Sequence, residues 1–153
     1  MMEYRIEKQE ALELLVYPKM FTEETSKDGI PAFWEEYYQK GLHEQAPSYL
    51  GICAQEKTGG DTFLYGIGCD AKKVKEVPEG FRILTIPAYT WAVFKCTGPV
   101  PDAIRQTWDR IYREWLPGAE YALISDYDIE HYLLGDNQAE DYVSEVWIPV
   151  REK

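Results

Sequence analysis

The last strand-like stretch of the chain, Tyr142–Val150, is mostly apolar, with Ser144 and Glu145 as its polar positions. β-Branched and aromatic residues dominate it, as is typical of a β-strand. Because successive side chains of a strand point to opposite faces, Val146 and Ile148 share one face while Glu145 and Trp147 share the other. This pattern fits two environments for the glutamate: the solvated face of an antiparallel sheet, or the base of an aromatic pocket.

The same analysis of apolar periodicity predicts the other elements. The first helix is expected to have Pro31 in its first turn and Gly41 at its C-terminal end. The first two strands are expected to pair around a short polar turn, and a Gly59-Gly60 turn is expected between the next two. The predicted strands are Tyr4–Glu7, Leu12–Phe21, Tyr49–Gln55, Thr62–Cys69, Tyr127–Leu134 and Tyr142–Val150, and the predicted helices are Ile30–Gly41 and Val100–Leu116.

The order of elements repeats along the chain. Phe81-Arg82-Ile83 matches Tyr4-Arg5-Ile6 at a shift of 77 residues, and the same shift relates Val93 to Val16. The repeat predicts an α+β fold in which each half has the order β-β-α-β-β. The two halves are expected to be related by pseudo-twofold symmetry and to form an antiparallel sheet with two main helices and a cleft between the halves. A single domain is predicted over residues 1–153, with internal halves of about 1–75 and 80–153.

Aromatic residues make up 14% of the chain, with 12 Tyr, 5 Trp and 5 Phe, more than a core of this size requires. Trp34 and Tyr38 stand four positions apart in the first predicted helix, as Trp108 and Tyr112 do in the second, so each pair shares one helix face. Tyr and Trp line ligand pockets because each combines an apolar body with a polar group. Any single ring fits an ordinary core, but the whole set favours a cavity.

The formal net charge of −11, from 16 basic and 27 acidic residues, restricts the classes of partner. Such a field repels a phosphate backbone and attracts cations, although acidity also serves solubility alone. We therefore expect no direct binding to nucleic acid. No apolar run approaches the roughly 20 residues of a membrane helix. Since the N-terminus also lacks the regions of a signal peptide, we expect no membrane association and a cytoplasmic location.

Metal and cofactor chemistry is not indicated. Cys53, Cys69 and Cys96 form no C-x-x-C pair, and His43 and His131 stand alone. This pattern predicts free thiols in a reducing cytosol, without a disulfide framework or a metal site. The chain contains no Ser-His-Asp set, no G-x-S-x-G motif and no phosphate-binding or dinucleotide fingerprint, so no cofactor is expected.

Three stretches carry a resemblance to a known family: Ile86–Phe94 leading to Gly98, Asp128–Tyr132, and Glu145–Val150. In this order they resemble the gyrase-inhibitor-like (GyrI-like) small-molecule-binding domain over essentially the whole chain. That domain is the effector-binding half of AraC-type and MerR-type multidrug regulators and also occurs alone. The resemblance implies a duplicated β-α-β-β module with extra strands and a ligand groove between the two halves. In that groove an acidic residue faces aromatic rings and helps to bind lipophilic cations. Because no DNA-binding helix-turn-helix segment precedes the first strand, the stand-alone form is expected.

The resemblance places Glu145 and Glu130 on the family's acidic positions. Glu145 is expected at the base of the pocket, where an unpaired carboxylate stays protonated until a cation enters. The expected function is binding or sequestration of small lipophilic molecules, cationic or aromatic, in this cleft. The predicted ligand-binding residues are Glu145, Glu130, Trp91, Tyr89, Trp34, Tyr38, Trp108 and Trp147.

Two other functions stay open on the sequence. Glu145 could act as a general base or acid in the hydrolysis of a reactive small molecule in the same cleft. Alternatively, the acidic surface could serve a protein-interaction module such as a gyrase inhibitor. A protein partner or a homodimer is compatible with these alternatives.

Overall fold

The computed structural model describes residues 2–55 and 61–153. These residues contain nine strands and two α-helices. The predicted Gly59-Gly60 turn lies outside these residues. The α+β fold class is confirmed, with mostly antiparallel strands. In chain order the elements are β1 (Tyr4–Gln9), β2 (Leu12–Phe21), α1 (Glu23–Gln39), β3 (Leu50–Ala54), β4 (Phe63–Asp70), β5 (Arg82–Ile86), β6 (Tyr89–Thr97), α2 (Asp102–Arg110), β7 (Tyr121–Leu123), β8 (Tyr127–Tyr132) and β9 (Val143–Glu152).

The chain divides into two units. Unit 1 comprises Met1–Glu10 and Ala88–Lys153, and unit 2 comprises Ala11–Pro87. In unit 1 the strands follow the order β1-β6-β9-β8, with β7 also paired to β9; in unit 2 the order is β5-β2-β4-β3. In each unit, therefore, an outer strand pairs with the strand that precedes the helix.

The predicted pairing of β1 with β2 is wrong, because β1 pairs with β6 and β2 pairs with β4 and β5. Arg5 lies opposite Val93 in the first of these pairs, and Arg82 lies opposite Val16 in the β2–β5 pair. The two registers are thus related by the same shift of 77 residues that relates the sequences. Both a local hairpin and a distant antiparallel pair suit the alternation of β1, so the sequence pattern did not distinguish them.

Helix α1 begins seven residues before the predicted start, at Glu23 instead of Ile30. Thr22 caps it: its hydroxyl accepts a hydrogen bond from the Thr25 amide at 3.1 Å, and the Thr25 hydroxyl accepts one from the Thr22 amide at 2.8 Å. This is a capping box with Thr where Glu or Gln is usual, so the motif was missed in the sequence. Pro31 consequently lies inside the helix and not in its first turn.

The second predicted helix, Val100–Leu116, corresponds to α2 and two turns that continue it. Ile111–Trp115 forms a π-helical turn, and Leu116–Gly118 a 3₁₀ turn. The helical segment therefore stops at the predicted Pro117-Gly118 signal, because proline cannot continue the backbone hydrogen bonding and glycine favours the end of a helix.

Each helix covers one face of its unit's strands. In unit 2, α1 packs on a core that includes Leu15, Phe33, Tyr37, Tyr65 and Ile67. In unit 1, the core on the α2 side includes Ala92, Phe94, Ile104, Ile111, Val146 and Ile148. We call this side of unit 1 the α2 face and the opposite side the Glu145 face. The predicted alternation of the last strand is confirmed, since Val146 and Ile148 lie on the α2 face.

The cap at Thr22 gives a stability test. Thr22→Ala removes the hydroxyl that satisfies the Thr25 amide, so we expect the free energy of unfolding to fall by about 1 kcal/mol. Urea denaturation followed by circular dichroism measures this change. Thr22→Ser retains the acceptor and should stay near the wild-type value. Equal losses in the two variants would show that the hydroxyl is not the stabilising group.

Candidate ligand-binding site

Glu145 lies at the centre of a hydrogen-bonded cluster on the Glu145 face. Its carboxylate accepts hydrogen bonds from Arg5 Nη1 at 2.9 Å and from Trp147 Nε1 at 3.1 Å. His131 Nδ1 lies 3.3 Å from the same carboxylate, because His131 stands opposite Glu145 in the β8–β9 pair. The Glu145 side chain is 12% exposed, whereas that of Arg5 is 50% exposed.

The expectation that Glu145 is unpaired and protonated is wrong. Burial disfavours the charged form of Glu145, but the hydrogen bonds from Arg5 and Trp147 outweigh it and hold the pKa of the carboxyl below its ordinary value. Glu145 is therefore an ionised carboxylate that already has a cationic partner. No local pattern indicated this, because Arg5 is 140 positions away and reaches Glu145 only through the pairing of β1 with β6.

A run of aromatic rings continues from this cluster. The Arg5 guanidinium lies 5.6 Å from the Trp147 ring centroid, within cation–π range. Trp147 contacts Trp91 edge-on at 6.1 Å, and Trp91 contacts Tyr89 at 6.0 Å. Trp91 is fully buried, and its Nε1 has no hydrogen-bond partner among the described residues. The structure thus brings together four of the predicted ligand-binding residues, Glu145, Trp147, Trp91 and Tyr89. Because Trp91 is fully buried, it packs against the others as a core residue.

A surface pocket of about 370 Å³ adjoins the Arg5–Glu145 pair. None of the predicted aromatic residues lines it. Its charged side chains instead form two ion pairs: Arg5 is bonded to Glu145, and Lys95 Nζ lies 3.4 Å from Glu3. The lining residues are Glu3, Tyr4, Arg5, Val93, Lys95, Val143 and Glu145. This pocket lacks both an unpaired carboxylate and an aromatic wall of the predicted kind.

Glu130 lies on the opposite face from Glu145. It stands opposite Val146 in the β8–β9 pair, on the α2 face, and accepts a hydrogen bond from the Tyr132 hydroxyl at 2.8 Å. Burial raises the pKa of the Glu130 carboxyl, and the Tyr132 hydrogen bond offsets this only in part. No cation pairs with Glu130 among the residues 2–55 and 61–153. Of the two predicted glutamates, Glu130 is the one without a counter-ion in this part of the chain.

Each helical segment carries a stacked pair of rings. Trp108 and Tyr112 stack at 6.0 Å with 22° between their planes in unit 1, and Trp34 and Tyr38 stack at 6.2 Å with 24° in unit 2. Tyr112 is 56% exposed and Tyr38 is 48% exposed. The predicted sharing of one helix face is therefore observed in both pairs, and each pair presents one tyrosine to solvent.

Two neighbours of the predicted glutamates were missed. Tyr132 could have been found, since strand alternation puts it two positions from Glu130 on the same face, as it puts Trp147 beside Glu145. No local sequence pattern linked Arg5 to Glu145. Trp108 and Tyr132 both pack against the core of the α2 face, so Glu130 and Trp108 share a side of unit 1.

The described residues show neither a metal cluster nor a membrane-spanning helix. In that part of the chain, no group of three or more His, Cys, Asp or Glu side chains is placed to hold a metal ion. Within the same residues, no helix has both the length and the apolar character needed to cross a bilayer.

Several known proteins are similar to this chain in sequence or in fold. The transcriptional regulator BrlR of Pseudomonas aeruginosa is 32% identical over 110 residues, which cover 69% of this chain and 39% of BrlR. The chain thus spans well under half the length of this relative. SAV2435, solved bound to tetraphenylphosphonium, superposes with a TM-score of 0.84 at 23% identity, covering 98% of this chain and 94% of SAV2435.

Two further solved structures share the fold at lower similarity. The EcmrR C-terminal domain has a TM-score of 0.58 at 16% identity, with 99% of both chains covered. A hydrolase of Listeria innocua encoded by lin2189 has a TM-score of 0.55 at 9% identity, covering 97% of this chain and 92% of that chain. At these identities the structural likeness concerns the fold. The sequence itself matches the GyrI-like small molecule binding domain over residues 2–151, and the chain belongs to that family.

Proposed function

We propose that this protein binds lipophilic organic cations and that Glu130 supplies the charge they recognise. The carrying observation is the state of Glu130: partly buried on the α2 face, hydrogen-bonded to Tyr132, and without a cationic partner among the described residues. A desolvated carboxylate without a counter-ion costs free energy. A bound cation offsets that cost, whereas a neutral molecule of the same shape does not.

Glu145 is the weaker candidate for this role. Arg5 already lies against both its carboxylate and the Trp147 ring, the two groups that a cationic ligand would use. A ligand at Glu145 therefore has to displace a guanidinium held by a charge-assisted hydrogen bond, which is among the stronger hydrogen bonds in proteins. No such displacement is needed at Glu130.

The aromatic contacts are assigned to the stacked rings of Trp108 and Tyr112 in unit 1. Trp108 packs on the same core as Tyr132, the partner of Glu130, and its neighbour Tyr112 is half exposed. A cation placed over such a ring is stabilised by roughly 0.5 to 2 kcal/mol. Stacking tolerates many shapes, so broad specificity follows.

Membership of the family and the whole-chain charge support the same ligand class. The GyrI-like family is a small-molecule-binding one. SAV2435, which shares the fold, was solved with tetraphenylphosphonium, a lipophilic cation. The net charge of −11 favours accumulation of cations near the surface.

One observation also favours a second function, general acid–base hydrolysis. The raised pKa of Glu130 and the adjacent Tyr132 hydroxyl suit proton transfer to or from a bound electrophile. Turnover of a neutral, strained electrophile by the wild type and its loss in Glu130→Gln would support this alternative. Absence of such turnover would count against hydrolysis and leave the binding proposal in place.

Charge selection is tested with two ions of matched shape. We expect tetraphenylphosphonium to quench tryptophan fluorescence saturably, because its charge is compensated by Glu130 while its rings stack on Trp108 and Tyr112. Tetraphenylborate has the same size and four rings but the opposite charge, so it should bind at least about tenfold more weakly. Equal affinities, measured by calorimetry, would refute selection by charge.

The acidic residue is tested with three variants that each remove one carboxylate. Glu130→Gln should weaken tetraphenylphosphonium by about 1 to 3 kcal/mol, the range for a charge-assisted contact. Glu140→Gln, at an exposed position, changes the net charge equally and should leave the affinity unchanged. Glu145→Gln should also have little effect on affinity. A loss confined to Glu145→Gln would move the site to the Glu145 face.

Glu130 should also destabilise the fold above acidic pH. Since the pKa of Glu130 is higher in the folded than in the unfolded chain, the folded state binds more protons between the two values, and its stability falls as pH rises through that window. Glu130→Gln removes this loss, so its unfolding free energy should exceed that of the wild type by on the order of 1 kcal/mol at neutral pH. The difference should vanish at acidic pH, where the wild-type carboxyl is protonated. Denaturant unfolding at several pH values measures it, and a destabilised variant at neutral pH would contradict a buried, uncompensated charge.

A further inference from the structure

We propose that two copies of this chain associate through the outer edge of β1, paired antiparallel about Ile6. β1 is the terminal strand of unit 1 and pairs with β6 alone among the described strands of that unit. Its Tyr4 and Ile6 side chains are 48% and 36% exposed. An edge strand of this kind presents backbone donors and acceptors that another strand can pair with.

The backbone of β1 has the right groups pointing outward. The Glu3 carbonyl accepts a hydrogen bond from the Lys95 amide of the segment that continues the β1–β6 ladder. Hydrogen-bonding groups alternate between the two edges of an antiparallel strand, so those of Arg5 and Glu7 also face β6, whereas those of Tyr4, Ile6 and Lys8 face away. A twofold axis at Ile6 therefore makes Ile6 a hydrogen-bonded pair with its own copy.

The side chains of β1 are complementary to themselves in this register. Pairing about Ile6 sets Arg5 opposite Glu7 of the second copy, twice, and sets Tyr4 opposite Lys8 of that copy. The Arg5–Glu7 positions are non-hydrogen-bonded pairs, in which side chains come closest. Arg5 already bonds Glu7 of its own strand at 2.9 Å, so the two groups are suited to exchange partners.

The charge of this edge is balanced although the chain carries −11. Glu3 and Glu7 offset Arg5 and Lys8, so two such edges meet without net repulsion. The corresponding edge of unit 2, β5, has Arg82 as its single charged residue and offers it no acidic partner in any self-pairing. Among the two outer strands, β1 is thus the self-complementary one. The contact is small, so a weak, concentration-dependent dimer is expected.

Cysteine cross-linking tests the register. Ile6→Cys puts two thiols directly opposite each other, whereas Ile83→Cys places a thiol at the position related by the shift of 77 residues, with a similar exposure of 41%. Under mild oxidation Ile6→Cys should form a covalent dimer at least about tenfold faster than Ile83→Cys. Wild type, with Cys53, Cys69 and Cys96, reports the background. Equal rates for the two variants would overturn the proposal.

Sedimentation of the reduced proteins completes the test. The wild type should shift from monomer towards dimer as concentration rises, and Ile6→Pro should stay monomeric because proline lacks the outward amide hydrogen. Glu7→Arg keeps that amide but sets the Arg5 side chain against a second guanidinium from the other copy, so it should also weaken the dimer. Circular dichroism confirms that each variant is folded. A wild type that remains monomeric at every concentration, or variants that dimerise like the wild type, would exclude the edge contact.

Discussion

The chemistry of both glutamates depends on the register at which β9 pairs with its neighbours. The β8–β9 register sets His131 opposite Glu145 and Glu130 opposite Val146, so the two carboxylates fall on different faces of unit 1. A slip of β9 by one residue would move Glu145 to the α2 face and away from Arg5, because side chains alternate along a strand. One face gives Glu145 a guanidinium, an indole and an imidazole; the other gives Glu130 a tyrosine hydroxyl and apolar surroundings.

The placement of β1 explains why Glu145 is not a vacant cation site. The β1–β6 register brings Arg5 opposite Val93, and the β6–β9 register sets Val93 opposite Trp147. Arg5 then reaches across β6 to the Trp147 ring and the Glu145 carboxylate of β9. It provides from within the chain the same charge and ring contact that an external cation would provide. This internal pairing holds Glu145 ionised, whereas Glu130 bears the cost of burial with only one hydroxyl donor among the described residues.

In the site proposed around Glu130, tolerance of ligand shape and selection by charge come from different groups. The stacked rings of Trp108 and Tyr112 impose little geometry beyond a flat ring surface, since ring contacts depend weakly on the ligand's outline. A desolvated carboxylate selects the sign of the ligand's charge, because only a cation offsets the carboxylate's lost hydration. Together they support the proposal that the domain binds varied lipophilic cations with few directional hydrogen bonds.

The sequence by itself determined the alternation of β9, the helical segment ending at Pro117-Gly118, the two aromatic pairs and the family, because each depends on local periodicity or on motif order. It did not determine the start of α1, where a Thr-based capping box replaced the usual signal. Nor did it determine the partner of β1, since antiparallel alternation is the same whether the partner strand is near or distant. That pairing, together with the pairing of β6 with β9, brings Arg5 to Glu145. Only the tertiary structure therefore decided which glutamate is neutralised within the chain and which is left without a counter-ion among the described residues.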